Sequence, residues 1–149
     1  MRRVLIGLAL VVTGAFTALA PASAQAQDKD YVVIVNAFNP FVEIRADDLS
    51  RIFLKKTATW TNGQAAQPVD QPEGSNLRRR FTARVLNRDT GSVKSYWQQQ
   101  VFSGRAVPPP ALDTDAAVLE FVRQHPYGVG YVSASTPLTS EVRVIAVVR

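Results

Sequence analysis

The chain has 149 residues, of which 46% are hydrophobic, with no cysteine and a formal net charge of +5. That apolar share can fill a core, while the missing cysteine excludes disulfides, thiolate metal sites, a cysteine nucleophile and a lipid-modified N-terminal cysteine. The charge is modest and scattered, with no long basic run, so it is not the footprint of a nucleic-acid-binding protein.

Arg2 and Arg3 precede an apolar run from Val4 to Ala20, and small residues follow Pro21. This pattern predicts a secretory signal peptide over residues 1–26, cut after Ala26. The alternative reading is an uncleaved N-terminal anchor. Residues 27–149 are then expected to form one domain. Losing Arg2 and Arg3 lowers the net charge from +5 to +3. No later apolar stretch reaches the roughly 18 residues that a spanning helix needs. The product is therefore expected in the periplasm, or secreted, with no membrane span after cleavage.

Residues 31–38, YVVIVNAF, are β-branched and nearly all apolar, which predicts a strand buried on both faces. Asn39 and Pro40 mark its turn. Over residues 45–56, Leu49, Ile52 and Phe53 fall at helical spacing. Asp47 and Asp48 stand in the first turn and Lys55 and Lys56 in the last, as the helix dipole favours. Asn62-Gly63 predicts a turn. Residues 66–71 read as a short strand, with Pro68 assigning it to an edge. A helix is expected from Ser75 to about Asn87, through Leu77, Phe81 and Val85. A second is expected over 92–102, placing Val93, Tyr96, Trp97 and Val101 inward.

Residues 103–112, with three consecutive prolines, predict an extended loop. Asp113 or Thr114 caps a helix running to Gln124. A short strand follows at 130–132 and a last one at 141–149. The order β-α-β-α-α-α-β-β predicts an α/β fold, a three-layer sandwich around a small mixed sheet.

No reaction is written in these residues. His125 is the only histidine and stands at a helix end, so no zinc site is expected, nor any other metal or cofactor. Asp47, Asp48, Asp113 and Asp115 lie near helix starts and read as caps. No Gly-x-Ser-x-Gly elbow is present. Trp60 and Trp97 read as core residues, with the lining of a surface groove as the alternative. The remaining candidate is the step Gly74-Ser75-Asn76, followed by Arg78. Unpaired amides and partial positive charge at a helix start can receive an oxyanion, with serine and arginine as further donors. On composition alone, the same residues more simply describe an ordinary serine-capped helix.

Four segments in order carry a resemblance: VVIVNAFNPFVEIRADDLSRIFLKKTATWTNGQ, PVDQPEGSNLRRRF, YWQQQVFSGR and YGVGYV. Together they resemble the phosphate-type periplasmic substrate-binding proteins of ABC transporters. That family shows Ile-Phe-x-Gly-Lys-x-x-x-Trp, matched here from Ile52 to Trp60 with Lys55 in the glycine position. It also shows an Asp-Gly-Ser-Gly-Thr-Arg-x-x-Phe phosphate loop. Here Glu73 takes the aspartate position, Gly74 and Ser75 match, Asn76 replaces glycine and Leu77 replaces threonine. Arg78 and Phe81 match the arginine and phenylalanine further along. Gln71 stands where such receptors often carry a binding arginine. The family's two lobes are about twice this length, so residues 27–149 are expected to form one lobe.

The resemblance implies a non-enzymatic, exported solute-binding protein that holds phosphate or a similar oxyanion through Gly74, Ser75, Asn76 and Arg78, with Gln71. Asn39 joins them if the first strand ends at the same edge of the sheet. An ABC permease or another envelope protein is the implied partner. The alternative from a different class is an envelope protein–protein interaction module whose ligand site is vestigial.

Overall fold

The computed structural model describes residues 31–149; the expected signal segment lies outside them. The elements are β1 (Tyr31–Asn36), β2 (Glu43–Arg45), α1 (Ala46–Phe53), β3 (Gln67–Pro68), α2 (Asn76–Phe81), α3 (Thr90–Phe102), α4 (Asp115–Gln124), β4 (Gly128–Ser133), β5 (Val142–Val144) and β6 (Ala146–Val148). Helix α2 runs on into a π-helical stretch, Thr82–Leu86, which stops at Asn87 in a left-handed conformation.

The apolar run YVVIVN takes the middle of a four-stranded sheet ordered β3-β4-β1-β5. Strand β1 is antiparallel to both of its neighbours, with Tyr31 opposite Ser133 and Val35 opposite Val129. Only β3 and β4 run parallel, so the sheet is mixed. One face carries the aromatic core under α1, α2 and α3: Phe53, Phe81, Tyr31 and Tyr131, with Phe81 stacked on Tyr131 at 4.0 Å. The other face packs Ile34, Val69 and Val132 against Val118 and Val122 of α4. Helices on both faces of one sheet make the expected three layers. Gly130 of β4 has no room for a side chain, because a Cβ there would lie 2.7 Å from a methyl of Val69 and 2.8 Å from one of Val118.

Four expectations are corrected. Glu43–Arg45, partly assigned to the first helix, forms β2. The last strand is two strands, β5 against β1 and β6 parallel to β2 in a separate two-stranded sheet. Helix α1 ends at Phe53, so Lys55 and Lys56 lie beyond it. Lys55 has φ 54° and closes the helix: its N–H donates to the Ile52 carbonyl and the Lys56 N–H to the Arg51 carbonyl. Val101, expected inward, is 52% exposed, because α3 packs only through Val93, Tyr96 and Trp97. The two tryptophans are buried as expected, Trp60 stacking on Phe41 at 5.3 Å. Among the described residues, no helix is long and apolar enough to cross a membrane.

Candidate functional site

Strand β3 pairs only with the first two residues of β4, and the chain leaving β3 makes the turn 71–75 before α2 begins. Ser75 is the cap of that helix. It is extended at φ −67° and ψ 132°, and its Oγ accepts the Arg78 N–H at 3.3 Å. The Gly74 backbone is not left-handed, and nothing lies within 4 Å of where its Cβ would be. Gly74 and Asn76 are exposed and Ser75 is half-buried. The first helical amides, of Asn76 and Leu77, have no intrahelical acceptor by construction.

The side chains of this turn face inward. The Ser75 hydroxyl donates to Oε1 of Gln71 at 2.7 Å. Gln71 is 6% exposed, and its Nε2 donates to the Tyr131 carbonyl and to Oδ1 of Asp115, each at 3.1 Å. Asp115 also accepts the Ser133 N–H at 2.9 Å and the Thr136 hydroxyl at 2.6 Å. It is therefore a hub joining three segments, more than the helix cap expected of it. Arg78 donates to the Gln71 carbonyl at 2.9 Å and pairs with Asp70 at 3.3 Å. Asp70 accepts the Gln71 N–H at 2.8 Å and the Tyr131 hydroxyl. Burial first, and then the adjacent Asp70 carboxylate, push ionisation of the Tyr131 hydroxyl far above the ordinary phenol range. The Asn76 side chain accepts from Arg79.

The structure thus brings Gln71, Gly74, Ser75, Asn76 and Arg78 together and leaves Asn39 elsewhere. Because β1 runs antiparallel to β4, its carboxyl end lies at the opposite end of the sheet from Ser75. Asn39 is buried there, its Oδ1 accepting the Phe41 N–H and its carbonyl accepting from Arg143. The condition attached to Asn39 is not met.

Asp70 and Tyr131 are members of the network that the sequence did not single out, and Asp115 was read only as a cap. The one local signal was an acid directly after a short apolar strand, Val69-Asp70. His125 has an ordinary structural role: it stacks on Phe121 at 4.1 Å and donates from Nδ1 to the Phe121 carbonyl at 2.6 Å.

The hollow next to the turn, of about 360 Å³, lies on the Arg78 side, between α3 and the proline loop. Its walls include Asp70, Glu73, Arg78, Trp97 and Pro109, and do not include Gly74, Ser75 or Asn76. The residues of the helix start therefore do not form part of this hollow.

No family model matches the chain, and no curated protein matches it in sequence. Solved structures do match in fold. A protein described as a phosphate ABC transporter substrate-binding protein from Clostridium perfringens, solved with bound phosphate, superposes with a TM-score of 0.61 at 17% identity, over 78% of this chain and 44% of that one. An ABC-type phosphate transport receptor from Vibrio cholerae gives 0.60 at 14% identity, over 85% and 52%. PstS from Borrelia burgdorferi gives 0.60 at 12% identity, over 79% and 47%. The chain has the fold found in these binding proteins and spans about half their length.

Proposed function

We propose that this chain is an exported, non-enzymatic binding protein that holds a phosphate-like oxyanion at the turn leading into α2, in the service of phosphate transport. The observation that carries this reading is the open turn itself. Gly74 has empty space above it without any conformational need for glycine, and the Asn76 and Leu77 amides follow at an exposed helix start. The likeness of fold to proteins named for phosphate transport supports it. With one lobe's length of chain, the turn supplies one wall. A strongly hydrated ion held on one wall stays half-wet, so affinity is weak unless a permease, an envelope partner or a second copy supplies the other. Periplasmic location rests on the sequence of residues 1–26.

A test separates the backbone amides from the side chains. Pro is tolerated at the first helical position, and Ser75 already has the extended geometry that a residue before proline adopts. Asn76→Pro should therefore fold while lacking one anion-facing N–H. Calorimetric titration with inorganic phosphate should give saturable heat at millimolar concentration for the parent protein and markedly less for Asn76→Pro. Absence of heat from the parent sinks the proposal.

One observation favours the second reading, an envelope interaction module with a vestigial site. The Ser75 hydroxyl, the Gln71 amide and the Arg78 fork are each held by the protein's own groups. On that reading phosphate gives no heat, and Ser75→Ala changes stability alone.

A further inference from the structure

Both tryptophans are buried, Trp60 at 4% exposure and Trp97 at 7%, but only one has its indole N–H satisfied. Trp60 donates from Nε1 to the Tyr127 carbonyl at 3.1 Å. The Trp97 Nε1–H meets no acceptor among the described residues. Nor is it sealed in, since Asn39 Nδ2 is the one fully enclosed side-chain nitrogen or oxygen there without a partner. A buried indole usually finds a partner for its N–H. Trp97 forms part of the wall of the 360 Å³ hollow between α3 and the proline loop.

The charges of that hollow are paired within its wall. Arg78 meets Asp70 at 3.3 Å and Lys94 meets Glu73 at 3.4 Å. Trp97, Val101, Phe102, Pro108 and Pro109 make its apolar part. Such a wall favours an occupant that is neutral and apolar, and that offers an acceptor without bringing donors. The chain carries a segment of this description at the same hollow. Pro108, Pro109 and Pro110 have no N–H. The Pro110 carbonyl accepts the Asp70 N–H at 2.8 Å, whereas the Val107 and Pro108 carbonyls accept no hydrogen bond among the described residues. Beside them Phe102 is 92% exposed, Val107 69% and Val101 52%. These are three of the seven large apolar side chains left exposed among the described residues.

We propose that this face docks a second copy of the chain in a two-fold contact. Each copy lays its Phe102 ring and its Val107–Pro108 segment on the hollow of the other. The Trp97 indole then donates to a carbonyl of that segment. Two features select a second copy over an unrelated protein. A two-fold contact needs both halves of every interaction on one patch, and here knob and hollow, free donor and free acceptor, cation and anion stand side by side. The Lys94 and Glu73 side chains, 57% and 53% exposed, can exchange partners between copies, so identical faces meet without like-charge opposition. The inference stands apart from the oxyanion reading, because the contact needs no anion and is measured without phosphate.

Sedimentation velocity in phosphate-free buffer should show a monomer–dimer equilibrium as protein concentration rises toward millimolar. Phe102→Ser changes a residue that is 92% exposed, so it should melt like the parent. It should weaken association about tenfold or more, a loss of roughly 1.4 kcal/mol. In the unaltered protein the indole N–H resonances locate the contact. The Trp97 resonance should move with concentration, while that of Trp60, already bonded, stays. The charge pattern gives the sharpest test. Lys94→Glu makes the face doubly acidic and Glu73→Lys makes it doubly basic. Each variant should self-associate less than the parent, and a mixture of the two should dimerise.

Any of four results overturns the proposal. The first is a parent protein that stays monomeric at millimolar concentration. The second is a dimer that forms without moving the Trp97 resonance, which places the contact elsewhere. The third is a pair of charge variants that each associate like the parent and gain nothing when mixed. The fourth is a monomer whose Trp97 resonance is moved by the peptide Ala-Val-Pro-Pro-Pro-Ala, which assigns the hollow to a proline segment of another protein.

Discussion

Two segments of the molecule, Ile52–Trp60 and Gln71–Phe81, are held in opposite ways. At Ile52–Trp60 the main chain does the holding. Lys55, which the sequence resemblance aligns with a glycine, adopts φ 54°, with both closing hydrogen bonds of the helix end formed. At Gln71–Phe81 side chains do the holding. Gln71 turns inward and holds Ser75, Tyr131 and Asp115. Local geometry fixed by main-chain bonds tolerates an unsuitable side chain at modest cost. A buried polar constellation does not, because every buried donor and acceptor needs a new partner when one member changes.

The largest test of this contrast removes the centre of the inward-facing network. Asp70→Ala leaves the Tyr131 hydroxyl without its acceptor and the Arg78 guanidinium, 14% exposed, without its counter-charge. Breaking a largely buried pair from one side costs about 3–5 kcal/mol, and urea unfolding should read a loss of at least about 3. A loss below 1 kcal/mol would mean that the network is not structural.

The same network sets an alkaline limit. Burial raises the Tyr131 and Tyr31 ionisations above the ordinary value of 10.0. Above that value the unfolded chain sheds protons that the folded chain keeps. The stabilisation is therefore complete below about pH 10 and falls as pH rises beyond it. Urea unfolding at stepped pH should show the decline, with a smaller slope for Tyr131→Phe. A flat profile to pH 11 contradicts the assignment.

The other segment predicts a gain. Lys55→Gly relieves a left-handed lysine, a strain of about 1 kcal/mol, and the midpoint of thermal unfolding should rise. The same change at Leu54, which has φ −84°, should lower it. If Lys55→Gly is neutral or destabilising, the left-handed conformation at Lys55 carries no strain.

These contrasts also mark what the sequence could disclose. The apolar run at Tyr31–Asn36, the helical spacing of Leu49, Ile52 and Phe53, and the Thr114 cap are local signals, and each appears where its pattern points. Strand β2 and the split of the last strand at Ile145 were not legible. Three-residue strands are decided by which neighbour they pair with, and that is a property of the assembled sheet. Turn and cap at Gly74-Ser75 were legible for the same local reason. The inward network was not, because its bonds join residues 44, 60 and 61 positions apart in the chain. Asn39 was misplaced by one topological fact, the antiparallel course of β1 beside β4.

The smallest effect is the most direct test of whether Ser75 belongs to the protein or to a ligand. Its oxygen makes two bonds, accepting from the Arg78 N–H and donating to Gln71. Loss of a serine cap costs about 1 kcal/mol. If the hydroxyl is committed to Gln71, then Ser75→Ala, Gln71→Ala and the double variant are not additive. The cycle should return a coupling of about 0.5–1 kcal/mol by urea unfolding, since each single change already breaks the shared bond. Repeating the cycle in saturating phosphate gives the second half of the argument. A ligand that recruits the hydroxyl must take it from Gln71, so the measured coupling should shrink toward zero. A coupling unchanged by phosphate leaves Ser75 as a structural cap, and any phosphate bound is then held by the amides of Asn76 and Leu77.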